Sequence, residues 1–155
     1  TNAMSRDQTV FVDDDGRAYQ FYSSENNETM YISLLTDDYL KPSGRFTRNF
    51  VKESREAPAV FKYNGKYYFS YSTGDTHLLC YATGDNPYGP FTYQGVILTP
   101  VVGWTTHHAI VEFKGKWYLF HHDCVPSGGT TWLRSLKVCE LEYDAEGKIK
   151  TIESV

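Results

Sequence analysis

Three short segments of the chain carry side chains that could do acid–base chemistry. Glu56 lies in the run Arg55-Glu56-Ala57-Pro58, Asp7 lies near the start, and His107 is followed by His108. A carboxyl group at the mouth of an apolar strand pair can be held protonated, which is what a general acid requires. Each residue also has an ordinary interpretation: a solvated loop acid, a turn acid or a hydrogen-bonded core histidine.

The segment around Glu56 predicts an extended backbone that leads into a hairpin. Proline disfavours a helical conformation in the residue before it, so Ala57 is expected to be extended. Val60 and Phe61 lead into Asn64-Gly65, the strongest short turn signal, and an aromatic run over 67–71 leads out. Glu56 would therefore stand where this strand pair begins.

Composition narrows the classes of function. The 155 residues predict one domain, and the aromatic content of 16% suits strands or sugar-stacking surfaces. The net charge of −4, without a basic run, argues against nucleic acid as a partner. No apolar run approaches the roughly 18 residues of a membrane span, so no membrane partner is predicted. No secretory leader is recognised, and the cellular location stays open.

Two further groups of residues were considered as metal sites. The acidic run Asp13–Asp15 resembles a calcium-binding loop only loosely, because the later ligands of an EF-hand are absent, and turn chemistry is the better interpretation. Cys80, Cys124 and Cys139 form an odd set without a CxxC spacing. They predict buried free thiols rather than a zinc site or a disulfide framework.

Short extended segments separated by turns fill most of the chain, and none has a sustained helical period, so the predicted fold is all-β. The predicted strands outside the Asn64-Gly65 hairpin cover residues 9–12, 18–22, 29–35, 78–82, 91–98, 109–113, 116–121, 133–143 and 148–152. Residues 36–55 are polar and irregular, and they are predicted to be loop.

Three hairpins share one plan, a strand, a glycine turn and an aromatic strand. Their sequences are VFVDDDGRAYQFYS, VFKYNGKYYFSYS and VEFKGKWYLFHH, with Gly16, Gly65 and Gly115 at intervals of 49 and 50 residues. A period near 50 with several short strands in each unit is typical of propeller blades. We therefore expect three four-stranded antiparallel units stacked around an axis.

Four segments, in this order, resemble motifs of glycoside hydrolase family 43, the five-bladed propeller enzymes that include arabinofuranosidases, β-xylosidases and arabinanases. They are residues 6–19, Arg55-Glu56-Ala57-Pro58 with 62–68 behind it, Asn86-Pro87-Tyr88-Gly89-Pro90-Phe91, and 106–111 with 115–121. The resemblance implies a partial propeller domain over residues 5–155. Residues 1–4 are left outside the domain, because Thr1-Asn2-Ala3 before Met4 look like residues added by cloning.

The resemblance implies a role for each candidate residue. Glu56 matches the general acid, and Asp7 matches the second carboxylate, which tunes and orients that acid. His107 matches a histidine near the propeller axis that contacts a calcium ion or its waters, so one calcium ion is implied there. Contacts to the sugar are implied for Arg134, Trp104 and His108, with Trp104 as a stacking face, although Arg134 could equally be a surface ion-pair partner.

The resemblance also implies an incomplete site. The family's catalytic base is an aspartate that lies before the Asp7 motif, and only six residues precede Asp7 here. The expected function is hydrolysis of the glycosidic bonds of arabinofuranosyl or xylosyl units in plant polysaccharides, with inversion at the anomeric carbon. Because the base is missing, the chain is expected to turn over substrate slowly or not at all. Two alternatives stay open: a non-catalytic carbohydrate-binding or pseudo-enzyme module, and a structural propeller that assembles with itself.

Three blades would leave two blade faces uncovered. We expect these faces to be apolar and to carry the strand residues Tyr19, Phe21, Tyr67, Phe69, Trp117 and Leu119. Large apolar patches rarely stay exposed on soluble monomers, and a symmetric pair of chains is the commonest way to cover them. The sequence therefore predicts a homodimer or another form of self-association, with an oligo- or polysaccharide as the other partner.

Overall fold

A computed structural model describes residues 6–23, 29–104 and 107–154. Residues 1–4, which the sequence placed before the domain, lie outside the described residues. The strands are β1 (Arg6–Val12), β2 (Ala18–Ser23), β3 (Thr29–Leu35), β4 (Pro42–Phe50), β5 (Glu56–Tyr63), β6 (Lys66–Ser72), β7 (Leu79–Gly84), β8 (Thr92–Leu98), β9 (Ala109–Phe113), β10 (Lys116–Asp123) and β11 (Ser135–Leu141). A single 3-10 turn, Val125–Ser127, is the helical structure of the described residues.

The strands form three antiparallel sheets, which confirms the predicted all-β fold. The first two sheets have the orders β1-β2-β3-β4 and β5-β6-β7-β8, and the third has the order β11-β10-β9. The expectation of four strands in every unit is wrong for the third sheet. In the described part of the chain after β11, only the isolated bridges Tyr143–Ile149 and Leu98–Ile152 form.

Two of the predicted hairpin turns are two-residue turns with a left-handed backbone. Asn64 and Gly65 have φ of 48° and 75°, and Lys114 and Gly115 have φ of 52° and 77°. Such a turn matches the right-handed twist of the strands that it joins, and it needs positive φ at both central residues. The Asn-Gly and Lys-Gly pairs therefore fix the register of β5 with β6 and of β9 with β10.

The prediction that residues 36–55 are loop is wrong, because β4 (Pro42–Phe50) occupies the middle of this segment. Most of β4 is exposed, and it pairs with β3 along its length. An edge strand needs no buried face, since its pairing comes from backbone hydrogen bonds. The apolar alternation used to recognise strands was therefore absent from its sequence.

Two apolar clusters hold the sheets together, and both involve the second sheet. The first cluster lies between the first and second sheets and is built on Tyr19, Phe21, Ile32, Phe69 and Tyr71; the second lies between the second and third sheets and is built on Tyr68, Tyr81, Ile97, Leu119 and Leu141. Strand β6 is buried on both faces as a result. A buried aromatic or aliphatic side chain contributes about 1.5–3 kcal/mol, so β6 anchors the stack.

The end faces carry different residues from those expected. Five of the six side chains assigned to them, Tyr19, Phe21, Tyr67, Phe69 and Leu119, are buried between sheets, and Trp117 packs against the second cluster. Strand side chains alternate between faces, so the outer faces carry the opposite set. The first sheet exposes Val10, Val12 and Phe46, and the third exposes Val111, Phe113, Leu136 and Val138.

The acidic run Asp13–Asp15 makes a turn and a contact between the first two sheets. Asp15 Oδ1 accepts a hydrogen bond from the N–H of Arg17, as expected of turn chemistry. Lys62 Nζ lies 3.0 Å from Asp13 Oδ1 and 2.7 Å from Asp14 Oδ2. These carboxylates therefore have partners within the protein.

All three cysteines are free thiols, as predicted, but only two of them are buried as expected. Cys80 and Cys124 are buried, and Cys139 is partly buried.

No helix within the described residues is long and apolar enough to cross a membrane.

Candidate active site

The first strands of the three sheets are neighbours, and they bring the predicted catalytic residues together. Strand β1 lies beside β5, and β5 lies beside β9. Asp7 is the second residue of β1, Glu56 is the first residue of β5, and His107 lies just before β9. Residues from three separate units of the repeat therefore meet at one end of the innermost strands.

Both sheets that supply a carboxylate begin with a β-bulge. The strand register shifts between Arg6 and Thr9 and between Glu56 and Ala59. Within the bulges, Asp7 has φ of 55° and Ala57 has φ of 52°. The prediction of an extended Ala57 is therefore wrong, because the bulge demands a left-handed residue at this point despite the proline that follows. A non-glycine residue held there costs about 1–2 kcal/mol, and bulges commonly re-aim side chains next to active sites.

Asp7, Glu56 and His107 form a compact cluster. One ligand-type atom from each residue lies within 4.8 Å of the other two. Asp7 Oδ2 accepts a hydrogen bond of 3.1 Å from the backbone N–H of Ala57 and lies 3.9 Å from His107 Nε2. The Asp7 carboxylate thus fixes the peptide that follows Glu56.

The carboxyl groups of Asp7 and Glu56 are close neighbours. One oxygen of Asp7 and one oxygen of Glu56 lie within 4.8 Å of each other. Asp7 can therefore orient the start of β5 beside Glu56, through the hydrogen bond that it accepts from the Ala57 N–H.

His108 lies beside the cluster with its ring nitrogens turned into the protein. Its Nε2 lies 2.7 Å from Ser70 Oγ, and its buried Nδ1 has no hydrogen-bond partner in the described residues. Burial, reinforced by the positive charges that His107 and His121 can carry, lowers the pKa of His108 to about 3. The ring is therefore neutral at physiological pH, and its predicted contact with sugar stays a prediction.

His122 contacts His107 of the cluster and lies within the electrostatic influence of Arg134. The backbone N–H of His107 donates a hydrogen bond of 3.2 Å to His122 Nε2. Burial lowers the pKa of His122, and the charge of Arg134 lowers it further. Arg134 is exposed and donates from Nε to the carbonyl of Thr131. The structure therefore places Arg134 beside a neighbour of His107, and its own contact with sugar remains a prediction.

Two cavities are lined by Glu56 or by its neighbours. A cavity of about 390 Å³ is lined by Arg6, Arg55, Glu56, Thr73, Gly74, Asp75, His77 and Trp104. A second cavity, of about 290 Å³, is lined by residues that include Asp7, Ala57, Pro58, His107 and His108. Trp104, the predicted stacking residue, is thus in the same cavity as Glu56, whereas Asp7 and the histidine pair line the other.

Sequence reasoning missed several residues of this site. Arg6, Arg55, His77 and His122 were not singled out. The repeat did not indicate Arg6, because the 49-residue interval between Gly16 and Gly65 places Arg6 on Arg55 and Asp7 on Glu56. The bulges of the structure follow a shift of 50 residues instead, which relates Asp7 to Ala57. His77 and His122 lie on different units and had no signal in the sequence.

Comparison with known proteins identifies the family of the chain. The family model described as glycosyl hydrolases family 43 matches residues 1–149. The chain belongs to glycosyl hydrolase family 43. Its three sheets are blades of the propeller found in that family, and the structure of RS223 β-xylosidase superposes with a TM-score of 0.91 at 46% identity, over 99% of this chain and 59% of that one.

Curated members of family 43 are similar over most of this chain. A β-xylosidase of Xylanibacter ruminicola is 86% identical over 97% of this chain and 59% of its own length. A xylosidase/arabinosidase of Bacteroides ovatus is 90% identical over 77% of this chain and 36% of its own length. The chain thus spans 36–59% of the length of these relatives.

A second solved member of the family contains a bound saccharide. CoXyl43, a β-xylosidase/α-arabinofuranosidase from a compost microbial metagenome, has been solved with xylotriose in a calcium-free form. It superposes on this chain with a TM-score of 0.87 at 43% identity, over 99% of this chain and 59% of that one. Saccharide binding thus occurs in a protein with the same blades.

Proposed function

We propose that this chain carries the general-acid part of a family 43 glycosidase that acts on xylosyl or arabinofuranosyl units. The observation that supports the proposal is the cluster of Asp7, Glu56 and His107, whose ligand-type atoms lie within 4.8 Å of one another beside a polar cavity. Relatives described as xylosidases and arabinosidases indicate the substrate class.

In the proposed mechanism, Glu56 donates its proton to the glycosidic oxygen as the bond from that oxygen to the anomeric carbon breaks. In the same step a water adds to the anomeric carbon from the opposite face and loses a proton to a base. No residue of the cluster is proposed as that base. Asp7 contributes by holding the Ala57 peptide, and therefore the start of β5, in place.

We also propose that a calcium ion binds beside His107, and the available ligands limit how the ion can be held. Calcium takes 6–8 oxygen ligands, and His107 provides a nitrogen. His107 would therefore contact a calcium ion mainly through the waters of the ion. Glu56 is left out of the ligand set, because a carboxylate that ligates a cation is ionised and has no proton to donate. Once bound, the ion would supply a fixed positive charge beside His107.

The proposed acid is tested by comparing Glu56→Gln with Glu53→Gln on aryl β-xylosides and α-L-arabinofuranosides. The 155-residue chain should turn over more slowly than about 1 per second, near the low end for enzymes. Glu56→Gln should reduce the remaining rate about 10²–10⁴-fold, the usual contribution of general acid catalysis. Glu53 is exposed and is the matched control. Turnover that survives Glu56→Gln would refute the assignment.

We also propose that the chain associates with a second copy of itself through its end faces. The first sheet exposes Val10, Val12 and Phe46, and the third exposes Leu136 and Val138, each at least half exposed. These apolar side chains stand on the outer faces of the two end sheets. Association of two chains would remove both faces from water.

A further inference from the structure

His122 stands where the pairing of β9 with β10 would continue beyond its last residues. The two strands pair in one constant register, which ends with Phe120 opposite Ala109. The same register, carried two residues further, places His122 opposite His107. At this level the bond does not join two backbones, because the backbone N–H of His107 donates to Nε2 of the His122 ring over 3.2 Å. A side chain therefore extends the strand pairing to a residue of the cluster.

The direction of this hydrogen bond fixes the position of the proton on the His122 ring. A backbone N–H can only donate, so Nε2 accepts, and a neutral imidazole that accepts through one nitrogen carries its proton on the other. That other nitrogen, Nδ1, is buried and has no hydrogen-bond partner among the described residues. An unpaired buried donor is unfavourable, and the bond to His107 is the contact that offsets this cost.

The backbone around His122 is held on both sides. Strand β10 is the middle strand of the third sheet, between β9 and β11, and His122 lies opposite Leu136 of β11. The next residue, Asp123, is buried, and its carboxylate accepts a hydrogen bond from the N–H of Val125 and pairs with Lys137. A supporting group on a strand holds its partner more precisely than one on a loop. The acceptor Nε2 is therefore fixed in position.

The bond from His122 holds the backbone of His107, while the ring of His107 faces Asp7. His107 Nε2 lies 3.9 Å from Asp7 Oδ2, the same oxygen that accepts the hydrogen bond from the N–H of Ala57. His107 precedes β9, so the backbone ladder of that strand does not include it. Contacts from all three sheets thus converge on His107 and Asp7, and His122 contributes a contact from the third sheet.

We infer that His122 is a positioning residue of the candidate site, because its ring accepts the His107 N–H and so holds His107 against Asp7. His122 lines neither of the two cavities, so its influence on them passes through His107. The inference rests on the proposed function, because it takes His107 as part of the site. The contact itself does not depend on the role of Glu56.

The first test is the tautomer of His122 in the unaltered chain. Long-range ¹H–¹⁵N spectra, recorded above the ordinary pKa of histidine, distinguish a protonated ring nitrogen from a bare one. The His122 ring should carry its proton on Nδ1 and none on Nε2. A proton on Nε2 would overturn the inference, since two N–H groups would then face each other. This measurement decides the question even if a variant at His122 does not fold.

The second test removes the acceptor and keeps a flat ring. His122→Phe should raise the hydrogen-exchange rate of the His107 amide by about tenfold or more, while the rate of the Leu119 amide, in the middle of β10, changes by less than about twofold. The side-chain carbonyl of glutamine can accept a hydrogen bond. In His122→Gln the His107 rate should therefore return to within about threefold of that of the unaltered chain.

The position of the His107 ring is read from its ¹H–¹³C signal. Asp7→Asn should shift this signal in the unaltered chain, because the ring and the carboxylate are neighbours. In the His122→Phe background the shift should fall to less than about half, since coupling between neighbouring groups is lost when one of them moves away. A purely structural role of His122 would leave this coupling unchanged.

His77→Phe is the matched control. It replaces another histidine ring, on the connection between β6 and β7. The exchange rate of the His107 amide and the response of the His107 ring to Asp7→Asn should both stay as they are in the unaltered chain.

Three further results would overturn the inference. If the His107 amide keeps its protection in His122→Phe, another group holds it. If exchange rises equally at His107 and Leu119, the variant has lost stability generally and His122 positions nothing. If His122→Gln behaves like His122→Phe, the acceptor is not the feature that holds His107. None of these results affects the proposed function, which is refuted separately, when turnover survives Glu56→Gln.

Discussion

Glu56 and His107 are 51 positions apart, and Asp7 is 49 positions from Glu56. The three residues nevertheless lie together, because the first strands of the three sheets are neighbours. Each lies at or just before the first strand of its unit. The bulges turn the backbone of Asp7 and Ala57 into the left-handed region, so that Asp7 Oδ2 meets the Ala57 N–H. The positions of the site residues therefore depend on backbone conformation as much as on side-chain type.

His108 should make the fold sensitive to acid. Its pKa falls from an ordinary value of 6.5 to about 3 in the folded chain, so between these pH values the unfolded chain binds a proton that the folded ring does not. The stability associated with the neutral ring is complete above pH 6.5 and is lost as the pH falls toward 3. His108→Gln should therefore flatten the decline in urea-unfolding free energy below pH 6.5.

Two other histidines also contribute to the pH dependence of the unfolding free energy. Burial also lowers the pKa values of His121 and His122, so part of the decline should persist in His108→Gln. His77→Asn, in the open cavity, is the control. Equal slopes for the unaltered chain and His108→Gln would show that the buried ring does not govern the acid response.

At the scale of the element, Asp13 links the first sheet to the second. Its carboxylate accepts a hydrogen bond from the Tyr67 hydroxyl and pairs with Lys62. Burial alone would raise the pKa of Asp13, but the hydrogen bonds from Tyr67 and from the Asp14 N–H, together with the charge of Lys62, hold it below its ordinary value. Asp14 contacts the same Lys62 but is 84% exposed.

We expect Asp13→Asn to lower the urea-unfolding free energy at pH 7 by about 1–3 kcal/mol, the usual contribution of hydrogen bonds to a charged group. Asp14→Asn should cost less than about 1 kcal/mol, as exposed ion pairs do. Because the folded pKa of Asp13 is lowered, its contribution is present above about pH 4 and disappears as the pH falls further. Equal costs for the two variants would contradict the proposed link.

Much of this architecture could be predicted from the sequence, and the exceptions have physical causes. The Asn64-Gly65 and Lys114-Gly115 turns were found because only a few residue pairs favour a left-handed turn. Strand β4 was missed because its pairing requires no apolar face. The left-handed Ala57 was missed because the bulge is set by pairing with β6, and the local preference before proline points the other way.

Part of the candidate site could also be predicted from the sequence, and part of it could not. Glu56, Asp7 and His107 were recognised because each lies in a short motif at the start of a repeat unit. The two cavities and the contact between the His77 and Trp104 rings could not be predicted, because they depend on how loops from neighbouring blades approach each other. The aromatic and aliphatic residues of β2 and β10 were assigned to the outer faces, but the alternating burial of these strands turns Tyr19, Phe21 and Leu119 toward the second sheet.

At the scale of the whole molecule, the exposed end faces predict self-association. Sedimentation velocity at micromolar concentration should show a species of at least twice 17.8 kDa. Val138→Lys and Phe46→Lys should shift it toward the monomer, because a charge on an apolar face opposes its burial. Leu40→Lys, on an exposed turn, should have no effect. A stable monomer of the unaltered chain would contradict the proposal.

We propose that Asp7, Glu56 and His107 lie in a saccharide-binding site that continues to Trp104, and the ring signals of the five histidines report on this site. In ¹H–¹³C spectra, titration with xylotriose should shift the signals of His77 and His107 together, with one dissociation constant. The signal of His121, which is buried outside both cavities at Glu56, should stay in place. Unchanged His77 and His107 signals at saturating xylotriose, or shifts confined to His121, would contradict the account.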